Sequence, residues 1–260
     1  MIALTGFLRV LVVAIVALGV STAKAEEAPL VIASEGARPP FNFLDANNEL
    51  AGFEIDLARE ICTRLHRTCS FVTQDWDGLL PGLAAHQYDA VMAALDINEA
   101  RRAQAAFSVP YVRMPAAFVV QKTSDLKDAS RETLAGKTIG VEDGSPSQAL
   151  LDDAYKDSVA KPFASLEDAM LDLAEGKVDA VLADKFAAAD FLKTRREGQQ
   201  CCRFLADAPR EAAIFGEGIG IAFRKTDVAL REAVDVALQA IVDDGTFARI
   251  SAKYFDFPIR

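Results

Sequence analysis

Cysteine and histidine are the residues of this 260-residue chain best suited to redox, metal or acid–base chemistry, and it holds four and two of them. Cys62 and Cys69 flank the segment TRLHRT, just after a helical stretch. In an oxidising compartment that spacing suits a local disulfide from a helix end to the next strand. A metal site is the competing reading, because His66 stands between the two cysteines. A structural metal site usually needs about four ligands, and the Cys-x3-His-x2-Cys run has no second half elsewhere. No metal and no other cofactor is therefore expected. Cys201 and Cys202 are adjacent. They could bridge each other, pair between molecules or stay as thiols, and their spacing does not choose.

Other polar residues carry two readings each. Asp184 closes the apolar run DAVLA and precedes a helical pattern over Lys185–Leu192. A carboxylate there can cap the helix or face a ligand from a strand end. Ser145, in EDGSPSQ, has the same choice at the start of the next helical stretch. Trp76 is the only tryptophan. Its indole face can pack in a core or hold an alkyl stem or a cation. Arg101 and Arg102 lie together in INEARR. Each is either an exposed helix charge or a planar fork for a carboxylate.

These residues need elements to hold them. PLVIAS (29–34), SFVTQ (70–74) and DAVMAAL (89–95) read as strands. Phe53–Arg64 puts Ile55, Leu57, Ala58, Ile61 and Cys62 on one helical face. A short helix is expected over Gly78–His86. Val228–Tyr254 is helical with a break at Asp244-Gly245, and Leu230, Val234, Ala237, Leu238 and Ile241 form its packing face. The alternation predicts an α/β fold with mostly parallel strands covered by helices. LAAHQYDAVMA (83–93) recurs as LAEGKVDAVLA (173–183), which predicts two similar lobes. Ala116–Gln121 and Ile219–Arg224 read as apolar strands crossing between the lobes.

The chain opens with Arg9, the apolar run Leu11–Val20 and the small-residue segment Ser21–Ala25. That layout predicts an export signal, residues 1–25, cleaved after Ala25. The run is too short to span a bilayer, which takes roughly 20 apolar residues. Losing Arg9 and Lys24 takes the net charge from −10 to −12. Such acidity argues against nucleic acid as a partner, since its phosphates would be repelled.

Four stretches carry a resemblance. They are PPFNFLDANNELAGFEIDLA (39–58), DWDGLLPGLAAHQYDAVMAALDINEARR (75–102), IGVEDGS (139–145), and GIGIAFRKTD with DDGTFARISAKYFDF (218–257). Together they resemble the family 3 periplasmic solute-binding proteins of amino-acid ABC importers, nearest the lysine/arginine/ornithine, histidine and opine binders. The resemblance covers nearly all of the chain after the signal. It implies the type II two-lobed fold, with two hinge strands and a ligand in the interlobe cleft. The first lobe would comprise residues 26–115 and 216–260, and the second residues 116–215. The Cys62–Cys69 spacing matches a disulfide of the subgroup.

The resemblance also implies site roles. Arg101 stands where the family's arginine holds the ligand α-carboxylate, with Arg102 an exposed charge. Asp184 matches the acid that takes the α-ammonium. Trp76 stands where relatives set an aromatic against the ligand side chain, Ser145 matches a ligand contact, and Phe41 belongs to the core. Glu35 keeps an acid where binders of basic amino acids carry an aspartate. Arg38, Asp96, Glu142 and Pro146 depart from the pattern. Glu35, Glu142 and Asp184 favour a cationic ligand. Arg38 opposes one unless it pairs with Glu142 or meets a second carboxylate, as an opine would supply.

The expected function is the extracytoplasmic solute-binding component of an importer, for a basic amino acid or an opine-like compound. The expected partners are that ligand and an ABC permease in the inner membrane, with the protein itself periplasmic and a monomer. A sensor that docks on a membrane receptor is the alternative, as is a lyase or dehydratase on the same fold. Neither His66 nor His86 falls in a cleft motif, so no enzyme activity is expected.

Overall fold

The computed structural model describes residues 28–113 and 115–260. The expected signal, residues 1–25, lies outside them. Helix Phe53–Arg64 occupies the span its periodicity predicts, and Ile55, Leu57, Ala58, Ile61 and Cys62 are all buried. Ile55, Leu57 and Ile61 each contribute about 1.5–3 kcal/mol by leaving water. Glu54 is buried on the same helix, and that was not expected.

Among the described residues, two five-stranded sheets carry the fold. One runs Cys69–Thr73, Leu30–Ser34, Ala90–Val91, Ala222–Phe223, Ala106–Phe107 in spatial order. The other runs Val159–Phe163, Thr138–Glu142, Ala180–Asp184, Ala116–Gln121, Cys202–Asp207. The two copies of the DAV repeat supply the central strand of each sheet. Both sheets follow one plan, with parallel pairing on one side of the centre and antiparallel pairing on the other. The expected mostly parallel sheet is corrected here. The strand beside each centre, Ala222–Phe223 or Ala116–Gln121, comes over from the other lobe and enters antiparallel.

The crossing segments also differ from the expectation. Ala116–Gln121 lies wholly within the second sheet, and Ala222–Phe223 within the first. The chain leaves the first sheet after Val112, where the Ile219 amide donates to the Val112 carbonyl at 2.8 Å. It enters the second at Ala116, whose carbonyl accepts the Ala208 amide at 2.8 Å. The hinge therefore sits just outside the two apolar runs. An apolar strand is more stable buried in a sheet than exposed between lobes.

The strand expected over 89–95 is short, Ala90–Val91. Ala94 takes a φ of 50°, which ends the ladder and turns the chain toward Asp96. The C-terminal helix breaks where expected, at Gly245 with φ 77°, between helices Val228–Asp243 and Thr246–Ser251. Val234, Ala237, Leu238 and Ile241 are buried and Leu230 is half-buried. Cys62 and Cys69 are joined, tying the end of the first helix to the adjoining strand. Cys201 and Cys202 are joined to each other. Phe41 is core, as expected. It meets Phe186 of the second lobe with ring centroids 5.4 Å apart, and Phe186 meets Phe255 at 5.3 Å. No helix among the described residues is long and apolar enough to cross a membrane.

Candidate functional site

The expected site residues fall into two groups. One gathers on the first lobe around Trp76, which opens a short 3-10 turn, Trp76–Gly78. The guanidinium carbons of Arg38 and Arg101 lie 5.2 and 5.3 Å from its ring centroid. The indole therefore already has two of the protein's own arginines as cation partners. Arg101 sits in the short helix Glu99–Arg102, whose N-cap Asn98 accepts the Arg101 amide at 2.9 Å. Its side chain turns back, and Nη1 donates to the Asp96 carbonyl at 2.8 Å. The Asp96 carboxylate is 3.8 Å from the same nitrogen. Arg102 points elsewhere and forks onto Glu217 at 2.9 and 2.5 Å, so it is a paired charge.

The second group lines a cavity of about 390 Å³ between the sheets. Asp96 reaches it from the first lobe, and Glu142, Ser145 and Asp184 from the second. Glu142 closes strand Thr138–Glu142, and Ser145 caps helix Pro146–Ala154 by accepting the Gln148 amide at 3.2 Å. Asp184 closes its strand and caps helix Lys185–Thr194, accepting the Ala187 amide at 2.9 Å. Both residues thus perform the capping role that their sequence context allows. Glu35 is half-buried and does not line the cavity; nor do Arg38, Trp76 or Arg101.

The cavity is strongly polarised. Asp96, Glu142 and Asp184 line it, and no lysine, arginine or histidine does among the described residues. Burial pushes the Asp184 carboxyl above the usual aspartate range, against the pull of the Ala187 and Phe186 amides, and the charge of Asp96 adds to the rise. Asp96 and Asp184 repel each other until a cation enters. Strand ends and helix starts converge here, as they do at α/β sites generally. A larger groove, about 820 Å³, runs along the C-terminal segment by Phe247, Phe255 and Ile259. It holds none of these residues.

Glu54 is the functional residue that the sequence reading missed. Its carboxylate is fully buried and accepts the Ala94 amide at 2.8 and 3.1 Å, through both oxygens. It accepts Asn42 Nδ2 at 2.6 Å, and the Tyr111 hydroxyl also donates to it. Asn42 Oδ1 in turn accepts the Gly36 amide at 2.9 Å. One side chain thereby joins the segment bearing Glu35 and Arg38, the segment bearing Asp96, and the segment around Tyr111 that leads to the hinge. Burial raises its carboxyl pKa, while the bonds from Tyr111, Ala94 and Asn42 oppose the rise. A signal was present. Glu54 lies three and four residues before Leu57 and Ala58, on the apolar face, where an acid has to find buried donors.

Comparison with known proteins identifies the family of the chain. The family described as "Bacterial extracellular solute-binding proteins, family 3" matches residues 30–257. The putative ABC transporter arginine-binding protein 2 of Escherichia coli is 34% identical over 247 residues, which is 95% of this chain and 98% of that protein. The lysine/arginine/ornithine-binding periplasmic protein of the same organism is 32% identical over 249 residues, 93% of this chain and 94% of that one. The L-cystine solute receptor of Neisseria gonorrhoeae, in its unliganded open conformation, superposes with a TM-score of 0.73. It is 22% identical, with 89% of this chain and 94% of that one covered, so it speaks to the fold alone.

Proposed function

This chain belongs to the bacterial extracellular solute-binding proteins, family 3, and from that premise we propose what it binds and how. It is the solute-binding component of an ABC importer. Its solute is an amino acid or amino-acid derivative with a cationic group, a basic amino acid or an opine-like compound. The observation that carries this reading is the cavity between the sheets, walled by Asp96, Glu142 and Asp184 with no cation among its described lining residues. An ammonium placed there gains charge-assisted hydrogen bonds of about 1.5–3 kcal/mol each.

Asp184 takes the α-ammonium, Arg101 takes a carboxylate where the solute has one, and Trp76 flanks the solute side chain. Glu35, Arg38, Glu142 and Ser145 complete the contacts when the lobes close. The lobes are residues 26–115 with 216–260, and residues 116–215. The protein works in the periplasm as a monomer, with its signal cleaved after Ala25, and delivers to an inner-membrane ABC permease. It has no reaction of its own.

A thermal-shift screen of the purified protein over amino acids, opines and polyamines tests this. Stabilisation by at least one basic amino acid or opine is expected, with the compound recovered unchanged. No shift with any compound, or recovery of a chemically altered product formed in turnover, would overturn it.

A further inference from the structure

Asp96 stands between the two halves of the site. Its carbonyl holds Arg101 Nη1 at 2.8 Å, and its carboxylate Oδ2 lies 3.8 Å from that nitrogen. The same residue lines the cavity with Glu142 and Asp184. Its side chain is 60% exposed, so its charge meets whatever enters.

Two consequences follow from charge alone. A solute carboxylate approaching Arg101 finds the fork already shared with an anion, and like charges on one guanidinium repel. An ammonium meets the opposite situation, with Asp96 offered by one lobe and Asp184 by the other. Its three N–H donors suffice for both. Both carboxylates line one cavity, and the charge of Asp96 pushes the Asp184 carboxyl pKa up. A cation between them removes that repulsion and favours closure, whereas a carboxylate at Arg101 does neither.

Resting on the solute-binding reading above, we propose that Asp96 is a specificity-determining residue. It makes the ammonium the required group of the solute and the α-carboxylate dispensable. The cleft then accepts primary amines that lack an α-carboxylate, including decarboxylated basic amino acids, alongside the amino acids themselves.

Calorimetry with two matched pairs tests this: L-arginine with agmatine, and L-lysine with cadaverine. In the native protein the amine of at least one pair should bind within about tenfold of its amino acid, a difference of about 1.4 kcal/mol. Asp96→Asn should weaken that amine by about tenfold or more and leave the amino acid equal or tighter. Asp96→Ser should behave alike, and thermal melting of both variants checks that the fold is intact. Amino-acid binding with no amine binding, or Asp96→Asn shifting both members of a pair equally, would overturn the inference and leave the solute-binding reading standing. Binding of neutral or acidic amino acids only would overturn the inference and, with it, the cationic solute proposed above. No binding of any amino acid, opine or amine would overturn the reading on which it rests.

Discussion

The Glu54 carboxylate on the first helix accepts the amide of Ala94 through both oxygens, at 2.8 and 3.1 Å. Ala94 is a residue with positive φ, two positions before Asp96. A buried acid therefore pins the backbone that presents an exposed one. Positive φ in a residue with a side chain costs on the order of 1 kcal/mol and persists only when its surroundings impose it. Removing Glu54 should release that turn as well as strand its donors. Glu54→Ala leaves Ala94, Asn42 and Tyr111 without an acceptor and should cost about 3–4 kcal/mol of stability. Denaturant unfolding measures this, and a loss below about 1 kcal/mol would show that the network carries little.

The two neighbouring arginines should behave differently. Arg101→Ala should weaken L-arginine by about tenfold, the worth of one charge-assisted pair already shared with Asp96. It should leave agmatine within about threefold, since agmatine has no carboxylate to lose. Arg102→Ala removes the pair with Glu217 and the contact with the Phe107 ring, both away from the cavity, and should leave both ligands unchanged. Calorimetry on the two variants gives the comparison, and equal losses would dismiss Arg101 as a carboxylate contact.

Binding should depend on pH through Asp184. Burial holds its carboxyl above the ordinary range, and the charge of Asp96 adds to that. Asp96 and Glu142 share the cavity with it. An ammonium binds the ionised form, so it lowers the pKa on binding and releases a proton. Affinity should therefore be greatest above the raised pKa and fall as pH drops through it, at a higher pH than an ordinary aspartate would set. Asp184→Asn should bind weakly at every pH and flatten that limb. A native affinity unchanged down to the usual aspartate range would contradict the assignment.

Acid stability should depend on Asp244, which follows helix Val228–Asp243 and accepts the Thr246 amide at 2.9 Å and Arg64 Nη2 at 2.7 Å. The bonds from Thr246, then the one from Arg64, pull its pKa from 3.8 to about 2. A depressed acid contributes stability above its unfolded pKa and loses it as pH falls through the folded one. The stability difference between the native protein and Asp244→Asn should thus be constant above about pH 4 and vanish toward pH 2. A difference that persists to pH 2 would place its origin elsewhere.

Local patterns were readable along the chain because they need only nearest neighbours. The helix Phe53–Arg64 follows from apolar spacing, its buried face from the same spacing, and the break at Gly245 from a residue that takes positive φ freely. The DAV repeat announced two matching lobes, and Asp184 and Ser145 sat where helix caps belong. What escaped depended on partners distant in sequence. The antiparallel entry of Ala116–Gln121 is decided by where the chain crosses between lobes, and the strand's own apolar run is equally compatible with either direction. The partners of Glu54 could not be read along the chain, because its donors, Asn42, Ala94 and Tyr111, come from three separate segments. The pairing of Arg102 with Glu217 spans 115 positions. The opposition of Asp96 to Asp184 exists only once two lobes face each other. Charge acts through space, so the identity of each carboxylate was written in the chain, and its field on the site was decided by the fold.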